Sequence, residues 1–240
     1  MAASRSIFRF KKFQLAHGNP GLKISTEACL FGSWASNWAQ GRILDIGTGS
    51  GLLACMLAQK HPESTIDAIE IFPEVAELAA ENVHHSPFKG QISVHTNGLQ
   101  DYMPSETYDF IICNPPFFHQ HLAAGKKDLH TAIHDDLLNP LDLATGIHRL
   151  MGKNGHFAVL YPPLAMEKFE IACKALGLFL HHKAYVFPRA LSPVLRMMAV
   201  GSRKIKDQTQ ENVIIKQEDD SYTEAFEKLL SDYYLQFPTH

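Results

Sequence analysis

Short apolar runs alternate with amphipathic stretches along most of the chain. Arg42–Ile46, Thr65–Ile69, Ile92–Val94 and Phe110–Cys113 read as buried strands. Phe110–Cys113 lacks the in–out alternation of a half-exposed strand, as expected where both faces of a parallel sheet are covered. Between them lie segments of helical period. Thr26–Ala39 carries Ala28, Leu30, Phe31, Trp34, Ala35 and Trp38 on one side, and a second helix carries Leu52, Leu53, Met56 and Leu57. Pro73 opens a third helix, running to Val83. Asn139-Pro140 with Asp142 combines a cap, a first-turn proline and a first-turn acid, which starts a helix running to Met151. A fifth strand follows at Phe157–Leu160, then a helix at Leu164–Leu176 closed by Gly177. Leu178–Phe187 and Val194–Val200 read as an antiparallel pair joined by residues 188–193. This order predicts an α/β, Rossmann-like fold: a seven-stranded, mostly parallel sheet with a reversed last strand and helices on both faces.

The ends depart from that rhythm. Ser6–Leu15 alternates Phe8 and Phe10 with Arg9 and Lys11, which suggests a half-buried strand with a cationic outer face. Gly18-Asn19-Pro20-Gly21 signals a turn, with Phe13 and Leu15 before it and Leu22 and Ile24 after, so an N-terminal β flap is expected. Residues 204–220 are polar, with a short strand-like run at Val213-Ile214-Ile215. Ser221 with Glu224 resembles a capping box for a C-terminal helix carrying Tyr222, Phe226, Leu229, Leu230 and Tyr233. One domain, 1–240, is the simplest division: flap and helix to residue 40, a core over 41–203 and an extension over 204–240.

Composition narrows the field. The 240 residues contain no run near the ~20 apolar positions of a membrane helix, so no membrane partner is expected. Met1–Lys12 is basic but lacks the apolar core of a signal peptide. Cys29, Cys55, Cys113 and Cys173 are scattered, and read as buried thiols in a cytoplasmic protein. The net charge of -3 does not announce a nucleic-acid partner, so any such contact needs a local patch. His119/His121 and His130/His134 have spacings a metal could use, yet nothing completes a ligand set, and no metal is expected.

Candidate chemistry sits at strand ends. The run ending at Cys113 meets Asn114-Pro115-Pro116-Phe117, and two prolines cannot donate to a ladder. Asn114 Oδ1 and the Pro115 carbonyl offer two acceptors suited to a planar –NH2 group, and Phe117 offers a ring for a flat base. Upstream, Asp45 precedes Gly47-Thr48-Gly49-Ser50-Gly51 at a strand–helix junction, where glycines allow close approach of a ligand. Glu70, followed by Ile71, lies about 20 residues further on, where an acid can accept bonds from ribose hydroxyls. Residues 118–136 form a long polar loop directly after the acceptor motif.

Asp45-Ile-Gly-Thr-Gly-Ser-Gly51, Glu70 and Asn114-Pro-Pro-Phe117 resemble, in type and order, class I S-adenosylmethionine-dependent methyltransferases that act on planar nitrogens. The flanks make the likeness more specific. Phe10-Lys-Lys-Phe-Gln14, Leu22-Lys-Ile-Ser-Thr-Glu27, Leu30-Phe-Gly-Ser-Trp34 and Asn82-Val-x-x-Ser-Pro87 are similar to the tRNA1(Val) adenine-37 N6-methyltransferases. Tyr222–Phe237 fits members with a longer tail. The resemblance implies S-adenosyl-L-methionine as cofactor, tRNA as partner, and methyl transfer to adenine N6. It places Asp45, Gly47, Gly49, Gly51, Glu70, Ile71, Asn97, Gly98, Leu99 and Asn114 at the cofactor, with Lys23 and Thr26 covering it. Asn114, Pro115, Pro116 and Phe117 then hold the base. The chain departs from the family in having Glu27 for Asp, Phe117 for the tyrosine of some members, and Gly98 where an Asp usually binds the cofactor adenine. Asn97 or the Leu99 N–H is left for that contact.

Physically, the two acceptors hold both N6 protons and stabilise the nitrogen as it becomes cationic, so no strong base is needed. For RNA, Arg5, Arg9, Lys11, Lys12, Lys126, Lys127, Arg189 and Arg196 fall in three segments expected to fringe the strand ends. Affinity for tRNA should then fall steeply with salt. The protein is expected to be a monomer. Alternative acceptors are guanine N2 or a protein glutamine, the latter disfavoured because little chain precedes Gly47 for a partner-binding domain. A non-catalytic cofactor- or RNA-binding module and a dinucleotide dehydrogenase are further alternatives.

Overall fold

The computed structural model describes residues 6–17, 24–115 and 138–237. An eight-stranded sheet runs in the order β10-β8-β9-β7-β6-β3-β4-β5. Its strands are β3 (Arg42–Ile46), β4 (Thr65–Glu70), β5 (Ile92–Thr96), β6 (Tyr108–Cys113), β7 (Met151–Tyr161), β8 (Phe179–Phe187), β9 (Arg196–Ser202) and β10 (Thr209–Ile214). β9 runs antiparallel to both β7 and β8, and every other pairing is parallel. The mostly parallel sheet with a reversed strand is as expected. The count is eight rather than seven, because residues expected in a peripheral extension supply β10 along β8. β10 shows only Val213 buried, the profile of an edge strand, and so carries little hydrophobic signal.

The central strands are buried on both faces. In β6, Phe110 and Ile112 join one core, while Ile111 and Cys113 join the other. The first core lies beneath α1 (Thr26–Ala35), α2 (Leu52–Lys60) and α3 (Pro73–His84), and the second beneath α4 (Pro140–Leu150) and α5 (Pro163–Ala175). Asn139 caps α4 as the sequence predicts, accepting from Leu141 N and Asp142 N at 3.0 Å. The helix ends one residue early, since Met151 already belongs to β7. α1 likewise stops at Ala35 and tightens into a 3₁₀ turn at Ser36–Trp38. All four cysteines are buried and unpaired. Among the described residues no helix is long and apolar enough to cross a membrane.

The N-terminal flap differs from the sequence expectation. Its strands are β1 (Ile7–Arg9) and β2 (Gln14–Ala16), joined through Lys11-Lys12, whereas Gly18–Gly21 lies outside the described residues. The cause is spacing. Phe10 and Phe13 stack with centroids 4.4 Å apart in one core, and positions three apart on a continuous strand would face opposite ways. The chain therefore turns, with Phe10 N donating to Phe13 O. At the other end, α6 (Glu224–Leu230) is capped by Thr223, not by Ser221. Thr223 Oγ1 accepts from Phe226 N at 3.2 Å, while the Ser221 hydroxyl donates to Asp219.

Candidate active site

Three neighbouring parallel strands, β6, β3 and β4, end at the same edge of the sheet. Ligands collect where such ends splay apart. Here the edge opens into a cleft of about 400 Å³, within the ordinary range for a small-molecule site.

The glycine loop forms one wall. Gly47, Gly49 and Gly51 have φ of 66°, 58° and 83°, which side chains with a Cβ seldom adopt. Among the described residues nothing lies within 4 Å of where a Cβ on Gly47 would stand, so its absence leaves open the space a ligand would take. Gly47, Gly49 and the intervening Thr48 line the cleft; Gly51 caps α2 and does not.

Two carboxylates shape this loop from behind. Asp45 is fully buried and also does not line the cleft. Its Oδ2 accepts from Thr48 Oγ1 at 2.6 Å and from Ala54 N at 3.2 Å, tying the loop to the first turn of α2. Its Oδ1 is buried without a partner among the described residues. Burial pushes this carboxyl up to about 7; the two donors oppose the rise and nearby Glu70 adds to it. Glu70 ends β4 and does line the cleft, yet is only 5 % exposed. Its Oε2 accepts from Gly49 N at 3.1 Å and its Oε1 from Phe72 N at 3.2 Å. Burial raises its pKa, against the backbone donors.

The remaining walls mix expected and unexpected residues. Asn97, Gly98 and Leu99, after β5, line the cleft together with Ile71. Ile71 is 38 % exposed, an apolar surface beside the polar loop. Asn114 and Pro115 bring the end of β6 into the same cleft, with Asn114 half-buried and Pro115 buried. Pro116, Phe117 and Lys23 lie outside the described residues, as do His119, His121, His130 and His134. Among the described residues no group of His, Cys, Asp or Glu could hold a metal. Thr26 is not part of the lining, whereas its neighbours Ser25 and Glu27 are. Ser25 is the cap of α1, accepting from Ala28 N at 3.1 Å, which turns the helix start toward the cleft. Gln100, Leu138 and Leu160 also contribute without any signal in the sequence.

The cationic residues do not gather in one place. Arg196 lines the cleft. Arg189 belongs to the same end of the sheet, where its guanidinium binds Asp220 at 2.6 Å and the Gln217 carbonyl at 2.7 Å. Arg9 is exposed on β1. Lys11 and Lys12 lie toward the opposite pole. Lys11 Nζ donates to Ser231 O, beside Asp232, which pairs with Lys60 at the far end of α2. Arg5, Lys126 and Lys127 are outside the described residues.

An enclosed glycine loop, a strand-end carboxylate and an apolar shelf fit a ligand that carries hydroxyls and a flat ring. The Asn114-Pro115 acceptors fit a second, amino-bearing molecule. Residues 26–138 match the family model of the methyltransferase small domain. The tRNA1(Val) (adenine(37)-N6)-methyltransferase of Photorhabdus laumondii is 34 % identical over 97 % of this chain and 97 % of its own. The enzyme of the same name from Trichodesmium erythraeum is 34 % identical over 96 % and 98 %. Among solved structures, a predicted O-methyltransferase from Agrobacterium tumefaciens superposes with a TM-score of 0.67 at 18 % identity, covering 85 % of this chain and 95 % of its own, which shows a shared fold.

Proposed function

Because the chain belongs to the tRNA1(Val) (adenine(37)-N6)-methyltransferase family, we propose that it methylates N6 of adenine-37 in tRNA1(Val). The observation that carries the reading is the meeting of Asn114-Pro115 with the glycine loop and Glu70 in one cleft. The cofactor is S-adenosyl-L-methionine, which when bound supplies an electrophilic methyl group on a sulfonium. Gly47, Thr48 and Gly49 offer it backbone and open space, Glu70 offers carboxylate oxygens to its ribose, and Ile71 with Asn97, Gly98 and Leu99 flanks its base. Asp45 acts through the loop it holds.

At the acceptor, Asn114 Oδ1 and the Pro115 carbonyl accept the two N6 protons of a base that has left its stack. Both interactions strengthen as the nitrogen becomes cationic, so they favour the transition state over the ground state. Proline at 115 and 116 removes backbone donors that would compete for these acceptors. Phe117 supplies the stacking surface that replaces the base's lost neighbours. Arg196, at the cleft, meets an RNA phosphate.

Incubation with methyl-labelled S-adenosyl-L-methionine and unmodified tRNA, followed by digestion to nucleosides, tests this. Label is expected in N6-methyladenosine, mapped to position 37 by sequencing of the treated tRNA, and absent with Asn114→Ala. Label in a guanosine would replace the acceptor, and label in protein glutamine would remove RNA from the reading.

A further inference from the structure

The pole of the sheet opposite the cleft carries a second cavity. It measures about 70 Å³, room for one tetrahedral oxyanion and far too small for a nucleoside. It lies at the amino end of β7 and the carboxyl end of β9, where His156 pairs with Ser202. Leu160, on the cleft, is four residues along β7 from His156, or about 13 Å of strand.

Its lining is cationic. Lys153, Lys204 and Lys206 surround His156, Ser202 and the backbone at residues 154–155. Ser202 Oγ accepts from Lys204 N at 3.2 Å, which fixes the turn that carries Lys204. Among the described residues no carboxylate lines the cavity. The carboxylates near the start of β6 are directed to Arg42: Glu106 Oε2 lies 3.4 Å from its guanidinium, and Asp109 Oδ2 accepts from its backbone N–H. Among the described residues none of the three lysines has a carboxylate partner.

The lysines face imidazoles instead. Lys206 Nζ donates to His156 Nε2 at 3.1 Å, which requires a neutral ring. His181 stands edge-on to His156 with centroids 5.7 Å apart, is 6 % exposed, and has its Nε2 buried without a partner among the described residues. Burial lowers the pKa of His156, and Lys206 and Lys204 lower it further; burial and Lys206 bring His181 down to about 4. Positive charge is thus concentrated around a small cavity whose neighbouring rings cannot neutralise it. Such an arrangement is complementary to an anion and to little else.

We propose that this cavity is a binding site for a tetrahedral oxyanion of the phosphate class, held by the ammonium groups of Lys153, Lys204 and Lys206. The site is independent of the methyl-transfer reading, because it shares no residue with the cleft. The anion is either a free phosphate or a phosphate of bound RNA.

The test is a titration of the native protein with inorganic phosphate at constant ionic strength, following the ring signals of His156 and His181 by nitrogen-15 NMR. Both are expected to shift saturably, because an anion cancels the lysine field acting on them. Lys204→Gln with Lys206→Gln should weaken the interaction by about tenfold per lysine removed while leaving cofactor affinity unchanged. Displacement of phosphate by tRNA would assign the site to RNA backbone, and simultaneous binding would assign it to the free anion. A non-saturating drift equal to that produced by chloride, or a shift that persists in the double variant, overturns the proposal.

Discussion

Replacing Asp45 by asparagine removes a carboxyl group that is wholly enclosed. Oδ2 serves Thr48 and Ala54, and Oδ1 serves nothing among the described residues. The amide keeps an acceptor for both donors but cannot ionise. In the folded protein the carboxyl titrates at about 7, against ~3.9 for an unfolded aspartate. The native state therefore holds its proton more tightly than the unfolded state. The stability this contributes is complete below about pH 4 and is lost as the pH rises through about 7. Roughly three pH units, at about 1.4 kcal/mol each, give on the order of 4 kcal/mol as an upper bound. Urea unfolding of parent and Asp45→Asn between pH 4 and pH 8 checks this. The parent should lose stability relative to the variant across that window, by up to roughly 4 kcal/mol, and the difference should level off above pH 7. Two parallel pH profiles would show that Asp45 is ionised in the folded protein at no cost, and the account of its burial would fail.

Glu70→Ala removes the acceptors of Gly49 N and Phe72 N. It should weaken cofactor binding at least tenfold by calorimetry and lower stability by about 1–3 kcal/mol; an unchanged dissociation constant would refute the link between carboxylate and loop. Gly146 on α4 sits where a Cβ would come within 2.5 Å of the Leu99 side chain. Gly146→Ala should therefore cost about 1–3 kcal/mol and, by displacing Leu99 in the cleft, reduce cofactor affinity in equilibrium dialysis. Thr223→Ala should cost about 1 kcal/mol in urea unfolding, as loss of a helix cap does, while Ser221→Ala stays within about 0.5 kcal/mol. The reverse order would restore Ser221 as the cap.

Sequence reading reached the parts of the molecule that repeat a strong pattern. β3 and β6 announce themselves through the apolar residues Ile43, Leu44 and Ile46 and the run Phe110–Cys113, because the sheet is covered on both faces there, and the prolines after Asn114 mark the end of β6 without help from tertiary structure. β10 was legible only at its end, in the strand-like run Val213-Ile214-Ile215, because Thr209-Gln-Glu-Asn212 is exposed and polar. The flap turn at Lys11-Lys12 has no glycine or proline, and only the shared burial of Phe10 and Phe13 forces it. Within the cleft, motif residues such as Gly47 and Glu70 could be named from spacing. Gln100, Leu138 and Leu160 come from separate elements whose meeting no local pattern encodes. Charge was the least legible property. Lys11 and Arg196 look alike on the page, yet one reaches the α6 end at the far pole and the other lines the cleft. The pair Ser221 and Thr223 shows the same limit at short range, since both are good caps and only the path of the chain chooses between them.

The flap bears on the order in which the protein can mature during synthesis. Phe10 bridges to Tyr234, and Lys11 N donates to Tyr233 O. At the other end of the same hairpin, Ala16 exchanges hydrogen bonds with Asn82, whose amide also donates to the Ser50 carbonyl in the glycine loop. A continuous line of contacts therefore joins the last described turn of the chain to the glycine-loop wall of the cleft. A ribosome makes the flap before the central strands, but the partner that seats it emerges more than two hundred residues later. A nascent chain can assemble the central strands while its glycine loop still lacks this outer brace, which is complete only once the segment at Tyr233 and Tyr234 has been made.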